Sequence, residues 1–387
     1  MRTQVGIVGA GPAGLMLSHL LHLAGVGSVV LEVRDREYVE RRVRAGVLEQ
    51  GTVDLLDEAG LGERMRREGL VHEGVNLAFA GERHRIDFRD LTGRTITVYG
   101  QQEVVKDLIQ ARLAAGGTVL FEAEALFVDL GDAERPRVRF RDASVERWLE
   151  CDFVAACDGS HGIGRTAVPA EKVTVFEHEY PHAWLGVLAE TPPASDELIY
   201  AYHERGFALQ SMRTQEISRL YLQVPADEDP AAWPDDRIWE ELRTRLGEPE
   251  LGPGEILEKG VTAMRSLVME PMQHGRLFLA GDAAHVVPPT GAKGMNLALA
   301  DVSVLAAGLA AYYSDGSEAS LAAYSETCLR RVWRAEHFSS WMTNLLHRDP
   351  AGDPFEHRLR LSHLRYVTSS RAAATSLAEN YVGEAPV

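Results

Sequence analysis

Two groups of residues in this chain have types and spacings suited to chemistry. The first is Gly9-x-Gly11-x-x-Gly14 in IVGAGPAGL, set between the apolar run Gln4–Val8 and a helix-periodic stretch, LMLSHLLHLAG, that ends near Gly25. Glycines at such a junction make a tight turn, let the backbone approach a pyrophosphate and let helix and strand pack closely. The helix N-terminus then turns its partial positive charge toward the phosphates. The following apolar run, VVLE, ends on Glu32, where a carboxylate can accept hydrogen bonds from a ribose. A ligand-free turn can use some of the same glycines. Strand, helix and terminal acid together point to a dinucleotide site, without separating FAD from NAD.

The second group is Ser211 and Arg213, followed after TQEIS by Arg219 and Tyr221. Residues at i and i+2 share one face of a strand. An antiparallel pair therefore converges a hydroxyl, a guanidinium and a phenol on one point. That set suits a carboxylate, with Arg213 offering two parallel donors. The alternative is a solvated hairpin carrying a cross-strand ladder. Two further junctions, ACDGSHG with Asp158-Gly159 and LFLAGDAAH with Gly281-Asp282, each place an acid at a strand end. On their own they are ordinary strand–turn–helix junctions.

The elements that must position these residues follow from the pattern. QVGIV, the helix after it and VVLE form a βαβ opening. Helical patterns cover Gln50–Ala59 and Gln102–Ala115, with a strand at Thr95–Val98 between them. VLFEAEALFVDL, PRVRFRD and WLECDFVAACDG read as strands. From Trp184 to Val224 the pattern changes to antiparallel strands with short turns, followed by the helix DRIWEELRTRL. The chain returns to a buried strand near Arg276–Leu279 and is largely helical after Ser320. The expected class is α/β (mixed α+β). A Rossmann-like, discontinuous nucleotide-binding domain over 1–175 and 265–320 carries an inserted antiparallel-sheet substrate domain over 176–264, and a helical C-terminal region covers 321–387.

Composition narrows the rest. The 387 residues are 45% hydrophobic and 25% charged, which excludes a disordered or collagenous chain. The 40 Lys and Arg against 57 Asp and Glu give a net charge of −17. That balance disfavours nucleic acid and anionic lipid as partners. An anionic ligand must then be held by a few placed arginines. Three irregularly spaced cysteines, Cys151, Cys157 and Cys328, form no disulfide framework or zinc cluster, so no metal is expected and the cytoplasm is the simplest location. No unbroken apolar run approaches 18 residues, so no membrane span is expected.

In this order and spacing, the motifs resemble the FAD-dependent aromatic hydroxylases, the group A flavoprotein monooxygenases. RAGVLEQG, GLVHEGV, EPMQHGRLFLAGDAAH, VPPTGAKG and AENYVG extend the resemblance along nearly the whole chain. It implies non-covalent FAD, NADH or NADPH as electron donor, and O2. The implied reaction hydroxylates 4-hydroxybenzoate, or a related substituted acid, ortho to its phenol through a flavin C4a-hydroperoxide. A homodimer is the implied assembly.

The same resemblance implies the roles of single residues. Gly9, Gly11, Gly14 and Glu32 would hold the ADP half of FAD. Arg42, Arg44, Gln102, Asp158, Gly281, Asp282, Gly294 and Asn296 would line the rest of it, and Arg219 would affect flavin placement. Ser211, Arg213 and Tyr221 would hold the carboxylate. Tyr200, bonded to Tyr381, would meet the substrate hydroxyl beside the Pro289 carbonyl, with His72 as the outer end of a proton relay. Without the resemblance, His72 reads as a surface histidine. Arg34, His161 and Arg265 would contact the nicotinamide cofactor. Val33 stands where strongly NADPH-preferring relatives carry arginine, and Asp35, Glu37 and Glu40 would repel a 2′-phosphate, although Arg34 and Arg36 could attract it; NADH is expected to serve. The apolar stretch Phe338–Leu346 reads either as core or as a dimer contact.

Three rival classes fare worse. An NAD-only dehydrogenase leaves the second motif and VPPTGAKG unexplained. A flavin disulfide reductase needs a dithiol, and the first 150 residues have no cysteine. A non-catalytic module leaves the hairpin convergence without purpose.

Overall fold

The computed structural model describes residues 1–42, 46–132, 134–349 and 352–383. The N-terminal strand Val5–Val8 is buried throughout and lies at the centre of a six-stranded sheet. It pairs in parallel with Ser28–Leu31 on one side and Phe153–Ala156 on the other. Leu277–Leu279 and Thr118–Leu120 extend the parallel set outward, and Gln273–His274 closes one edge antiparallel. Strands buried on both faces read as short apolar runs, as these do. The helix Pro12–Leu23 packs against Gln101–Ala114 and against the long helix Gly294–Asp315. A three-stranded sheet, Ala123–Asp129, Arg137–Asp142 and Val145–Glu150, adjoins it.

The second large sheet has eight strands. Its order is His285–Val286, Ile256–Glu270, Thr174–Ala189, Ser218–Pro225, Ala208–Met212, Ile199–Tyr202, Gly74–Phe79 and Glu82–Asp87. The antiparallel strands expected between Trp184 and Val224 are present. The sequence pattern gave no signal for Gly74–Phe79 and Glu82–Asp87, which join the sheet from far upstream. Gly74–Phe79 pairs in parallel with Ile199–Tyr202, a long-range register that no local pattern encodes.

Alternation divides this sheet into two faces. Leu185, Val187, Leu220, Leu222 and Val224 point one way, onto Ile238, Trp239, Leu242 and Leu246 of the helix Asp235–Leu246. Trp184, Tyr200, Tyr202 and Leu209 point the other way, into a core shared with Phe338, Met342, Leu377 and Tyr381 of the C-terminal helices. The ambiguous stretch Phe338–Leu346 is therefore largely core: Phe338, Met342, Leu345 and Leu346 are buried. Exposed apolar side chains occur instead on the next helix, Pro354–Ser369, at Phe355, Leu359 and Tyr366.

One helix, Gly294–Asp315, is long and apolar enough to cross a membrane. In the structure it packs between Pro12–Leu23 and Tyr324–Leu346 as a core element. The three cysteines are buried and unbridged.

Candidate active site

The glycine motif divides into two kinds of position. Gly9 has φ +101°, and a Cβ there would lie 2.4 Å from the Cys157 carbonyl oxygen. A Cβ on Gly14 would lie 2.0 Å from the Gly9 carbonyl oxygen. Both are demanded by packing within the protein. Gly11 is different, because nothing lies within 4 Å of the position its Cβ would occupy. Open space at the N-cap of a buried helix is what a pyrophosphate requires. Glu32 accepts hydrogen bonds from the Ala10 N–H (2.7 Å) and the Arg34 N–H (2.9 Å), tying the glycine turn to the end of the second strand.

The other expected cofactor positions come from several elements: the start of Gly294–Asp315, the Gly281-Asp282 turn, the helix Gln101–Ala114, and the segments holding Arg42 and Asp158. Gly294 also faces open space. Gln102 carries a buried Oε1 that meets no donor among the described residues. The Gly281-Asp282 turn is held from behind: the Gly281 N–H donates to Asp301 (3.0 Å), which also bonds His285 (2.6 Å). Arg165 donates to the Asp282 and Ala283 carbonyls at 2.8 and 3.1 Å. Asn296 spends its amide within the protein, donating to the Val47 and Ala292 carbonyls and accepting from Glu49 N–H and the Thr52 hydroxyl. Asp158 accepts the Gly164 N–H at 2.8 Å and closes its own loop, with Oδ1 left without a partner. Arg42 is exposed at the end of the helix Arg36–Arg41, beside a hollow of about 420 Å³ lined by Asp35, Glu37, Tyr38 and Arg41. Arg44 lies outside the described residues. A glycine turn open at Gly11, a helix start open at Gly294 and an orphaned Gln102 oxygen fit a bound dinucleotide.

The sheet face brings the substrate candidates together. Ser211 stands directly opposite Arg219, and Leu209 opposite Tyr221. Tyr200 stands opposite Leu209, and Gly186 opposite Tyr221 on its other side. A Cβ on Gly186 would press to 3.1 Å from the Arg219 guanidinium and 3.2 Å from the Tyr221 ring, so glycine there leaves room for both. Arg213 follows the strand at the hairpin turn. Its Nη1 donates to Ser211 Oγ at 3.3 Å and to the Met212 carbonyl at 3.4 Å, while its buried Nε has no acceptor. No carboxylate pairs with Arg213 among the described residues, whereas Arg219 reaches Glu258 at 3.4 Å and the Tyr221 hydroxyl at 3.4 Å. Burial pulls the Arg213 guanidinium below its ordinary value, and the nearby Arg219 adds to this. The unpaired cation makes an incoming anion favourable.

Tyr200 and Tyr381 are both buried, with hydroxyl oxygens 2.6 Å apart. Burial pushes both phenols above their ordinary value. His72 is buried rather than superficial, and neither ring nitrogen has a partner among the described residues. Burial brings it down to about 4 against the pull of Glu197 and Asp196, so it is neutral at neutral pH. Pro289 opens a tight turn, Pro289–Gly291, and its carbonyl accepts the Ala292 N–H at 3.0 Å.

Sequence reasoning missed Lys293, inside the PPTGAKG motif. It is buried, pairs with Glu49 at 2.5 Å and donates to the Tyr381 carbonyl at 3.0 Å. A lysine in an otherwise apolar loop was the available signal. It ties the loop to the strand Val47–Glu49 and to the helix that carries Tyr381. Among the nicotinamide candidates, His161 is exposed, Arg34 lies over the Tyr38 ring at 5.0 Å, and Arg265 pairs with Glu177 at 3.4 Å.

A family described as FAD binding domain matches residues 2–339. The p-hydroxybenzoate hydroxylase of Acinetobacter baylyi is 49% identical over 99% of this chain and 96% of its own length. The chain belongs to the FAD-dependent aromatic monooxygenases. An aromatic compound monooxygenase of Bacillus subtilis is 30% identical over 80% of this chain and 62% of that protein. Among solved structures, p-nitrophenol 4-monooxygenase from Pseudomonas putida superposes with a TM-score of 0.86 over the full length of both chains at 18% identity, which establishes the shared fold. The chain is accordingly a flavoprotein with FAD as its cofactor and an aromatic small molecule as its substrate.

Proposed function

We propose that this monooxygenase hydroxylates 4-hydroxybenzoate at the carbon ortho to its phenol, giving 3,4-dihydroxybenzoate, with NAD(P)H as reductant. The observation that carries this reading is the arrangement along one sheet face. A half-buried guanidinium that meets no carboxylate among the described residues, Arg213, stands at one end, and the Tyr200–Tyr381 hydroxyl pair stands further along. A para-hydroxy acid presents a carboxylate and a phenol at opposite ends in the same way. The high identity to the Acinetobacter enzyme supports the choice of acid.

Each group has a distinct task. Arg213, with the Ser211 hydroxyl and Tyr221, holds the carboxylate and so orients the ring. Arg219, opposite Ser211, keeps this end of the face positive. Tyr200 accepts the substrate's phenolic proton while passing its own to Tyr381. Because burial makes both tyrosinates costly, the pair works as a conduit and never as a resting base. His72 is the outer acceptor. Kept neutral by burial, it holds a proton only in passing and hands it on toward Glu197 and Asp196, whose charges lie near it. The Pro289 carbonyl accepts from the substrate hydroxyl on the loop side. FAD, when bound, supplies electron storage and the activation of oxygen. Gly9, Gly11, Gly14 and Glu32 would hold its ADP half. Arg42, Arg44, Gln102, Asp158, Gly281, Asp282, Gly294 and Asn296 would line the remainder.

Several organisational readings accompany this one. The chain divides into a FAD-binding part over 1–175 and 265–320, a substrate sheet over 176–264 that borrows the strands within 74–87, and a helical region over 321–387. Arg34, His161 and Arg265 contact the nicotinamide cofactor, which is NADH at least as readily as NADPH. The enzyme works in the cytoplasm as a homodimer through its C-terminal helices, with no membrane or nucleic-acid partner.

The test is direct. The purified protein should be yellow, and 4-hydroxybenzoate should accelerate its NAD(P)H oxidation and be converted to 3,4-dihydroxybenzoate on chromatography. Stimulated oxidation with no catechol from this acid or a substituted analogue would overturn the reading.

A further inference from the structure

We propose that His347 is a positioning residue that locks the indole of Trp184 as a rigid side wall of the aryl-acid cavity and couples that wall to the Pro289–Gly291 turn. The inference rests on the cavity assignment above. Trp184 shares a strand and a face with Gly186, and its ring centroid lies 4.8 Å from that of Tyr221, one of the carboxylate groups. A buried indole N–H needs an acceptor. It finds one in His347 Nε2, at 2.6 Å.

That bond determines the chemistry of the imidazole. Nε2 must accept, so the ring proton sits on Nδ1, where it donates to the Thr343 carbonyl at 2.9 Å. Both nitrogens are committed and the ring is neutral, in a single tautomer. Its faces are committed as well. His182 stacks on it at 4.5 Å with 7° between planes, and Phe207 at 4.4 Å with 28°. Phe207 also stacks on Trp184 at 5.2 Å. The imidazole cannot turn without breaking two hydrogen bonds and two stacks.

The same turn of helix reaches the loop. The Thr343 hydroxyl lies 2.8 Å from that of Thr290, in the Pro289–Gly291 turn, and Phe338 and Ser339 crowd Gly291. The chain Thr290–Thr343–His347–Trp184–Tyr221 thus joins the loop beside the flavin-binding helix to the wall beside the carboxylate clamp. One helix, Tyr324–Leu346, sets the separation of the two.

Four variants test this. Trp184→Phe keeps the stack and removes the donor. His347→Leu keeps bulk and removes the acceptor. His347→Gln restores an acceptor near the Nε2 position. The double variant Trp184→Phe/His347→Leu completes a cycle. Loss of one buried hydrogen bond should raise the Kd for 4-hydroxybenzoate about tenfold in either disruptive single variant, with no further loss in the double. His347→Gln should stay within about twofold of the parent. FAD content should be unchanged throughout. In protein labelled with 5-fluorotryptophan, the Trp184 resonance, assigned by its absence in Trp184→Phe, should shift and broaden in His347→Leu and recover in His347→Gln.

Parental Kd and coupling in folded Trp184→Phe, or additive losses in the double variant, would overturn the proposal. Should His347→Leu not fold, Trp184→Phe and His347→Gln decide it alone, through Kd and the fluorine spectrum. A parent protein that neither binds nor hydroxylates 4-hydroxybenzoate overturns the functional reading instead.

Discussion

The hydroxyl oxygens of Tyr200 and Tyr381, separated by 181 positions in the chain, lie 2.6 Å apart. Tyr200 comes from the sixth strand of the large sheet and Tyr381 from the last described helix, so this hydroxyl pair forms only in the assembled fold. Removing either oxygen breaks proton transfer while preserving ring packing. Tyr200→Phe and Tyr381→Phe should both still reduce FAD when 4-hydroxybenzoate is bound. Product should fall at least about a hundredfold, the lower end of the range for acid–base assistance, with reducing equivalents appearing as hydrogen peroxide. Catechol and peroxide measured together decide this, and full hydroxylation by either variant would remove the relay.

On the proposed reading, Arg213 carries the binding energy for the acid. Arg213→Ala should weaken 4-hydroxybenzoate by roughly 2–5 kcal/mol, the range for truncating one partner of a buried charge pair. Arg213→Lys should recover only part of that, because an ammonium cannot match the two-pronged geometry. Titration of the flavin absorbance with 4-hydroxybenzoate and with neutral 4-hydroxybenzamide separates charge from fit. The amide should gain relative to the acid in Arg213→Ala.

Glu336 gives the protein a pH-dependent liability. Its carboxyl accepts from Ser266 at 2.8 Å, its other oxygen is buried without a partner, and burial raises it from 4.5 to about 7. A carboxyl raised on folding binds more protons in the folded state, so its contribution is fully present below pH 4.5 and is lost as pH climbs through 7. The interval corresponds to ~3 kcal/mol. Glu336→Gln should therefore gain stability relative to the parent between pH 5 and 8. Denaturant melts at several pH values check the slope, and parallel curves would refute it.

The proposed use of NADH rests on arginines that already have partners. Arg36 pairs with Glu40 and Arg41 with Glu37, both at 2.6 Å, and Asp35 caps their helix. A 2′-phosphate must compete with those carboxylates. Steady-state kinetics should show NADH used at least as well as NADPH. Glu37→Ala should shift the ratio toward NADPH by roughly two- to fivefold, the worth of one surface ion pair.

The glycine motif offers a cleaner contrast. Gly14→Ala drives a methyl into the Gly9 carbonyl and should cost fold stability even without cofactor. Gly11→Ala meets nothing in the protein, so it should fold normally yet bind FAD weakly. Apoprotein Tm and FAD titration separate the two, and equal apoprotein Tm values would contradict the packing argument.

What could be read in advance, and what could not, follows range of interaction. The glycine turn and the Ser211–Tyr221 hairpin were legible because each requirement is local: a backbone too close for a Cβ, or an alternation of two. The strand Gly74–Phe79 was not, since its sheet partner Ile199–Tyr202 lies more than a hundred residues downstream, and Glu82–Asp87 joins the sheet only by pairing back on it. Lys293 and Glu49 escaped for the same reason. His72 read as a surface residue because burial by distant segments leaves no trace beside it. The stretch Phe338–Leu346 was ambiguous because an apolar face looks alike whether its own chain or a partner covers it.

Alternation along Ser218–Pro225 makes the pocket sensitive to chain length in a way that single substitutions do not reveal. Adding or deleting one residue in the tight bend before Ser218 would swap the two sides of the ribbon. Leu220 and Leu222 would then line the cavity, and Arg219 and Tyr221 would be forced beneath Ile238, Trp239 and Leu242 of the helix Asp235–Leu246. New selectivities in this scaffold are thus reached by exchanging side chains at constant spacing, and indels here must come in pairs.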